Sequence, residues 1–173
     1  MFNKCYALVL LPVLLAGCAT WVNIPAEPGD LASHDPNLET VLKIDLQAVR
    51  AVLNTIDPEA PVHIILPPGT VPLGYEAVVP KVNEKAAWSV NPPPPGALVL
   101  EVRQVRVRGS FAQADVIAPA DPTQRNGPKI VNTVYLHYDV IAGWDVTQVR
   151  AWPISVDAAL VKSVREAEID IKQ

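Results

Sequence analysis

Residues 97–152 carry the pattern that most restricts the fold: four runs of alternating apolar and polar residues, separated by turn signals. A period of two marks strands with one face buried and the other wet. The runs are 97–108, 110–118, 129–141 and 144–152. Gly109-Ser110 and Ala142-Gly143 supply tight turns, glycine admitting the positive φ that hairpin turns require. A longer loop, 119–128 (PADPTQRNGP), joins the middle pair. Strands in this succession predict an antiparallel meander.

Two of the runs break phase. Leu98, Leu100 and Val102 share one parity, whereas Val105 and Val107 share the other. A one-residue slip would carry half of these side chains into water. A β-bulge at Arg103-Gln104 keeps all five inward by bending the strand. The same break between Val146 and Val149 predicts a second bulge at Thr147-Gln148. Two bulged strands give a strongly curved sheet. On the third run Ile130, Val134, Leu136, Tyr138 and Val140 face one way, and Thr133, Tyr135, His137 and Asp139 the other.

The buried face of such a sheet needs a cover. Leu38, Val41, Leu42, Leu46, Val49, Val52, Leu53 and Ile56 recur at three- and four-residue steps, predicting an amphipathic helix over 36–56. Asp35 is its expected N-cap and Pro36 its first helical residue, and Asp57-Pro58 ends it. Val62 to Leu66 reads as a short strand and Gly74 to Val82 as an irregular edge, kept from the sheet centre by Pro80. Pro92 to Pro95 reads as a polyproline spacer. A last helix, capped by Ser155 or Asp157, is expected to run to about Ile171.

The predicted class is therefore α+β: an N-terminal amphipathic helix on a curved, mostly antiparallel sheet of four to five strands, with a C-terminal helix. This arrangement resembles the cystatin-like and NTF2-like folds. "VRVRGSFAQADV" (105–116) and "VYLHYDVIAGWDV" (134–146) look like the late hairpins of such domains. One clear N-terminal helix instead of several favours the cystatin-like plan. Neither resemblance fixes a function.

Ahead of the domain, Lys4 precedes an apolar run from Tyr6 to Ala16. The run is shorter than the ~20 residues of a membrane span, is interrupted by Pro12, and fits a secretory signal. Leu15-Ala16-Gly17-Cys18 resembles the lipobox of bacterial lipoproteins. The resemblance implies cleavage before Cys18, diacylation of its thiol and acylation of the new amino terminus. Ala19, in place of aspartate, resembles the pattern of outer-membrane retention. The expected division is signal peptide 1–17, lipidated cysteine and tether 18–34, and a single domain 35–173. Trp21, Val22 and Ile24 within the tether suit either the membrane interface or docking on the domain.

Loss of Lys4 reduces the 14 basic residues to 13 against 18 acidic, a balance of −5. That acidity argues against nucleic acid as a partner. With Cys5 removed and Cys18 acylated, no cysteine remains for a disulfide, so burial must hold the fold; half of the residues are apolar.

Chemical motifs are sparse. Gly109-Ser110 lacks the downstream glycine of a G-x-S-x-G elbow, and no HExxH or phosphate loop occurs. Tyr135, His137 and Asp139 share a strand face at two-residue steps, a spacing open to a general-base pair or two metal ligands. They point away from the helix, however, and neither His34 nor His63 lies at ligand spacing. No cofactor or metal is implied. Arg103, Arg106, Arg108, Arg150, Tyr135 and Trp152 are expected on the outward face, rich in the residue types of binding hot spots. The alternative is a solvated sheet face on which Glu101 and Asp139 pair the arginines across strands.

The sequence thus suggests a membrane-anchored, non-enzymatic envelope module that binds a protein or a cell-envelope partner. The alternative is a small-ligand or enzymatic domain with a pocket between helix 36–56 and the sheet, where Tyr138 is the natural contact.

Overall fold

A computed structural model describes residues 20–26, 35–89, 93–124 and 127–156, the last four by backbone alone. Its centre is the meander β4 (Leu98–Arg108), β5 (Phe111–Pro119), β6 (Lys129–Asp139) and β7 (Gly143–Val156). β4–β5, β5–β6 and β6–β7 all pair antiparallel. Gly109 and Gly143 have φ of 57° and 85°, the conformations the two turns demand.

The phase breaks are bulges. Val102 pairs with Val116 and Gln104 with Asp115, so Arg103 is the extra residue. Tyr135 pairs with Gln148 and Leu136 with Val146, leaving Thr147 extra. A third shift leaves Pro153 and Ile154 unpaired between Trp152 and Ser155. Proline has no N–H to give a ladder and belongs at such an irregularity. β7 therefore reaches Val156, so Ser155 does not cap a helix. The rest of the expected C-terminal helix lies outside the described residues.

The sheet is wider than the four to five strands expected. Seven strands are described, in the order β3-β2-β4-β5-β6-β7, with β1 also on β4. β2 (Val62–Ile65) runs parallel to the first half of β4, and β3 (Ala86–Ala87) extends the sheet beyond it. β1 (Val22–Ile24) is antiparallel to the second half of β4, pairing Val22 with Val107 and Ile24 with Val105. The segment read as a tether thus contributes an edge strand, and Ile24 is buried in the core.

α1 (Glu39–Ile56) covers the concave face. It starts later than expected. Asp35 does not cap the helix; its carboxylate accepts the Asn37 backbone and side-chain N–H groups in a turn ahead of it. Asn37 in turn bonds Gly69 O and Val71 N–H, tying the helix entry to the loop after β2. The buried stripe is Val41, Ile44, Asp45, Ala48, Val49, Val52 and Leu53, whereas Leu38 is 51 % exposed and Leu42 and Leu46 are only half-buried. The stripe is rotated from the one expected because the helix lies across β4, β5 and β7 together.

Residues 72–82 are helical, not an irregular edge. Pro72 opens α2 (Pro72–Val78) at a position where its missing N–H costs nothing, and Pro80 sits in the following 3-10 turn (Val79–Lys81). Gly74 lets this short helix close on its surroundings: a Cβ there would lie 2.7 Å from Thr70 Cγ2 and 3.3 Å from Leu42 Cδ2. Arg50 fixes the end of the unit by donating to the Lys81 carbonyl. Of Pro92 to Pro95, read as a spacer, 93–95 are irregular and Pro92 lies outside the described residues.

Candidate functional site

The sheet face opposite α1 collects the candidates. The registers place Arg106 opposite Gln113, Asp115 opposite Thr133, Tyr135 opposite Gln148 and Thr133 opposite Arg150. All belong to the outward parity, while Val105, Ala114, Val134 and Val149 take the inward one. The Arg103 and Thr147 bulges preserve this separation along the full length of β4 and β7.

A hydrogen-bonded chain crosses four strands on this face. Arg106 Nη2 donates to Asp115 Oδ2, forming an ion pair. Thr133 Oγ1 donates to Asp115 Oδ1 at 2.6 Å, and Trp152 Nε1 donates to Thr133 Oγ1 at 2.9 Å. The Arg150 guanidinium then lies over the Trp152 ring, 4.1 Å from its centroid, a cation–π contact. Arg106 to Asp115 and Thr133 to Trp152 are diagonal cross-strand pairs, within reach of long side chains. The chain is partly screened from water, with the Arg106 and Asp115 side chains 31 % and 18 % exposed. Arg106 Nε is buried without a hydrogen-bond partner.

Beside this chain runs a groove of ≈ 480 Å³, walled by Trp21, Arg108, Phe111, Gln113, Tyr135 and Gln148. Arg108 lies 6.0 Å from the Trp21 ring, so β1 supplies one wall. A second cleft, of ≈ 370 Å³, lies where Arg103 and Gln104 face Pro25, Asp115 and Val131. A third, over Thr133, Tyr135 and Trp152, is ≈ 300 Å³. The outward face is thus a bent, furrowed surface carrying arginines, aromatic rings and amide side chains.

All six residues expected to share a face border these clefts or lie over the Trp152 ring, but they are not equivalent. Arg106 is committed to Asp115, whereas Arg108 and Arg150 are exposed and rest on aromatic rings. Among the described residues, Asp139 does not pair with an arginine. Its carboxylate caps the β6–β7 loop by accepting the Ile141 and Ala142 N–H groups at 2.8 and 3.0 Å. The Ala142 and Ile141 amides hold its pKa below the usual carboxylate value. The Tyr135, His137, Asp139 row therefore offers no base pair of the expected kind; the His137 ring instead lies tilted 5.1 Å from Phe111. His63 is buried on β2, and burial lowers its pKa. Among the described residues, no three His, Cys, Asp or Glu side chains cluster as metal ligands do.

Tyr138 has the inward parity but lies at the rim, 42 % exposed, edge-on to Trp144 at 5.3 Å. It does not enter a space beneath the helix. The buried α1 side chains join one apolar cluster with Leu100, Val102, Val116 and Leu136. Asp45 on α1 is the buried carboxyl group that the helical reading overlooked.

Asp115 and Thr133 were also missed. A two-residue turn at Gly109-Ser110 places Arg108 opposite Phe111, and counting back from it sets Arg106 opposite Gln113 and Gln104 opposite Asp115, short of the Arg103 bulge. The signal was present once the turn was read as setting the register. No family model, curated protein or solved structure matches this chain.

Proposed function

We propose that the chain is a membrane-anchored bacterial envelope lipoprotein, acylated at Cys18, whose outward sheet face binds a protein or cell-envelope partner without catalysing a reaction. The observation that carries the binding role is the cross-strand chain Arg106–Asp115–Thr133–Trp152, which stiffens a face where Arg108 and Arg150 remain exposed. Preorganised arginine and aromatic groups bind with little ordering cost. The exposed guanidiniums suit a partner that presents carboxylates or another anionic group. The acylation reading is supported by Leu15-Ala16-Gly17-Cys18, and Ala19 favours the outer membrane with the domain facing the periplasm. The finer cystatin-like plan is supported by one long helix across a bulged meander; the parallel β2–β3 addition departs from it.

The test is a crosslinking pull-down of the lipidated protein from native membranes, with Arg108→Glu/Arg150→Glu beside the wild type. The variant should lose a specific partner while remaining folded and membrane-bound. Equal recovery from both forms would remove this face from consideration. Arg106→Glu is a poorer probe, because it opposes Asp115 with a like charge and disturbs the sheet itself.

The anchor is tested separately. Cys18→Ser should abolish acyl labelling and release the protein from membranes or arrest its processing. Undiminished labelling of that variant would refute the assignment.

A further inference from the structure

Two of the most exposed large apolar residues described are neighbours. Val140 is 88 % and Ile141 98 % exposed, at the tip of the β6–β7 hairpin. An isolated exposed valine or leucine needs no explanation, but two adjacent ones on a built turn do. The turn is firmly made: Asp139 accepts its amides, Gly143 takes φ 85°, and Tyr138 N–H donates to Ser110 O in the neighbouring turn at 2.7 Å. Phe111, 56 % exposed, and Tyr138 lie just behind the tip.

The chain path says what meets this tip. β1 is antiparallel to β4, so going backwards from Val22 the chain leaves the sheet at the end that carries the Gly109-Ser110 turn. Cys18 precedes Val22 by four residues, a reach of at most roughly 14 Å. His137 is level with Phe111 beside that same turn, and Ile141 is four residues further along the hairpin, at most about 13 Å away. The lipid attachment point and the apolar tip therefore emerge from one end of the sheet. A second exposed apolar group, Leu38, Val71 and Leu73, surrounds the entry to α1.

We propose that the Val140-Ile141 tip inserts into the interface of the bilayer that holds Cys18, giving the domain a second, non-covalent contact with lipid and a fixed orientation. Trp21 and Tyr138 flank the contact, as aromatic residues flank membrane interfaces. The inference rests on acylation of Cys18. Two contacts orient what a flexible tether alone leaves free to rotate, and the outward groove is then held at a constant angle to the membrane.

The experiment uses the full-length chain, processed in cells, purified and reconstituted into phosphatidylethanolamine–phosphatidylglycerol vesicles. An Ala142→Cys substitution takes a bimane label beside the intact tip, and acylated Cys18 leaves no competing thiol in the mature chain. The label should emit at shorter wavelength on the vesicles and be quenched by nitroxide-bearing lipid. A label at Gln124→Cys, in the β5–β6 loop, should do neither. Adding Val140→Ser/Ile141→Ser should restore water-like emission at the tip, and such exposed positions leave the fold intact. Water-like, unquenched emission with acyl chains present on Cys18 by mass spectrometry overturns the tip contact alone. A blue shift without quenching by lipid means that protein covers the tip, which also overturns it. An unacylated Cys18 overturns the lipoprotein reading, and this inference with it.

Discussion

Asp45 and Asp115 show how one residue type takes opposite roles at the two faces of the sheet. Asp115 on the outward face receives Arg106 and Thr133, so its charge is compensated. Asp45 on α1 is fully buried, and neither of its oxygens has a hydrogen-bond partner. An uncompensated buried carboxylate costs several kcal/mol, and the group takes up a proton instead. Burial alone pushes its pKa well above the ordinary value of 3.8. Below the unfolded-state pKa of about 3.9, both states hold the proton and the group imposes no cost. As pH rises above that value, the unfolded chain releases its proton and the native chain does not. Stability then falls by about 1.4 kcal/mol per pH unit until the native pKa is reached. Asp45→Asn should remove this slope and leave the variant more stable than wild type at pH 7, with the gain shrinking toward pH 4. Urea unfolding of both proteins between pH 4 and 7 measures it. The buried His63 contributes equally to both and cancels in the difference. A stability difference that is independent of pH would show that Asp45 is ionised in the native state.

At the scale of elements, the sequence was most legible where period and turn chemistry agreed. β4 to β7 begin and end close to the runs read from alternation, and the Arg103 and Thr147 bulges follow from the requirement that valines on both sides of each break stay inward. α1 was legible as a helix, but its buried stripe was not. Leu38, Leu42 and Leu46 matched the three- and four-residue steps as well as Ile44 and Ala48 do, and only the crossing of α1 over the sheet decides between them. β1, β3 and α2 were missed for another reason. Three residues, two residues and seven residues are too few to show a period. Their conformations come from tertiary pairing with β4, β2 and the α1 entry. On the outward face, the residue types were legible and their pairing was not, because Arg106 reaches Asp115 along a diagonal of the register that the Gly109-Ser110 turn sets, not the residue directly opposite.

For the molecule as a whole, the edge of β4 is decisive. Its first half pairs in parallel with β2 and its second half antiparallel with β1, so the N-terminal segment completes an edge that would otherwise present unpaired backbone groups. The same pairing carries Trp21 to the groove. Groove and fold therefore depend on one short strand, and Ile24, 3 % exposed, is the side chain that seats it in the core. Ile24→Ala should cost about 2–5 kcal/mol, the range for deleting a buried isoleucine side chain to alanine. Much of that loss should appear as release of β1 and not as global softening, because the remaining sheet and α1 form a core of their own. The expected signature is a lower urea midpoint with faster amide exchange at 105–107, while exchange at 114–118 stays slow. Trp21 fluorescence should become water-like in the same variant, since its wall of the groove leaves with the strand. An unchanged midpoint with unchanged exchange at 105–107 would mean that β1 does not help to hold the sheet, and the groove wall that Trp21 supplies would not depend on it.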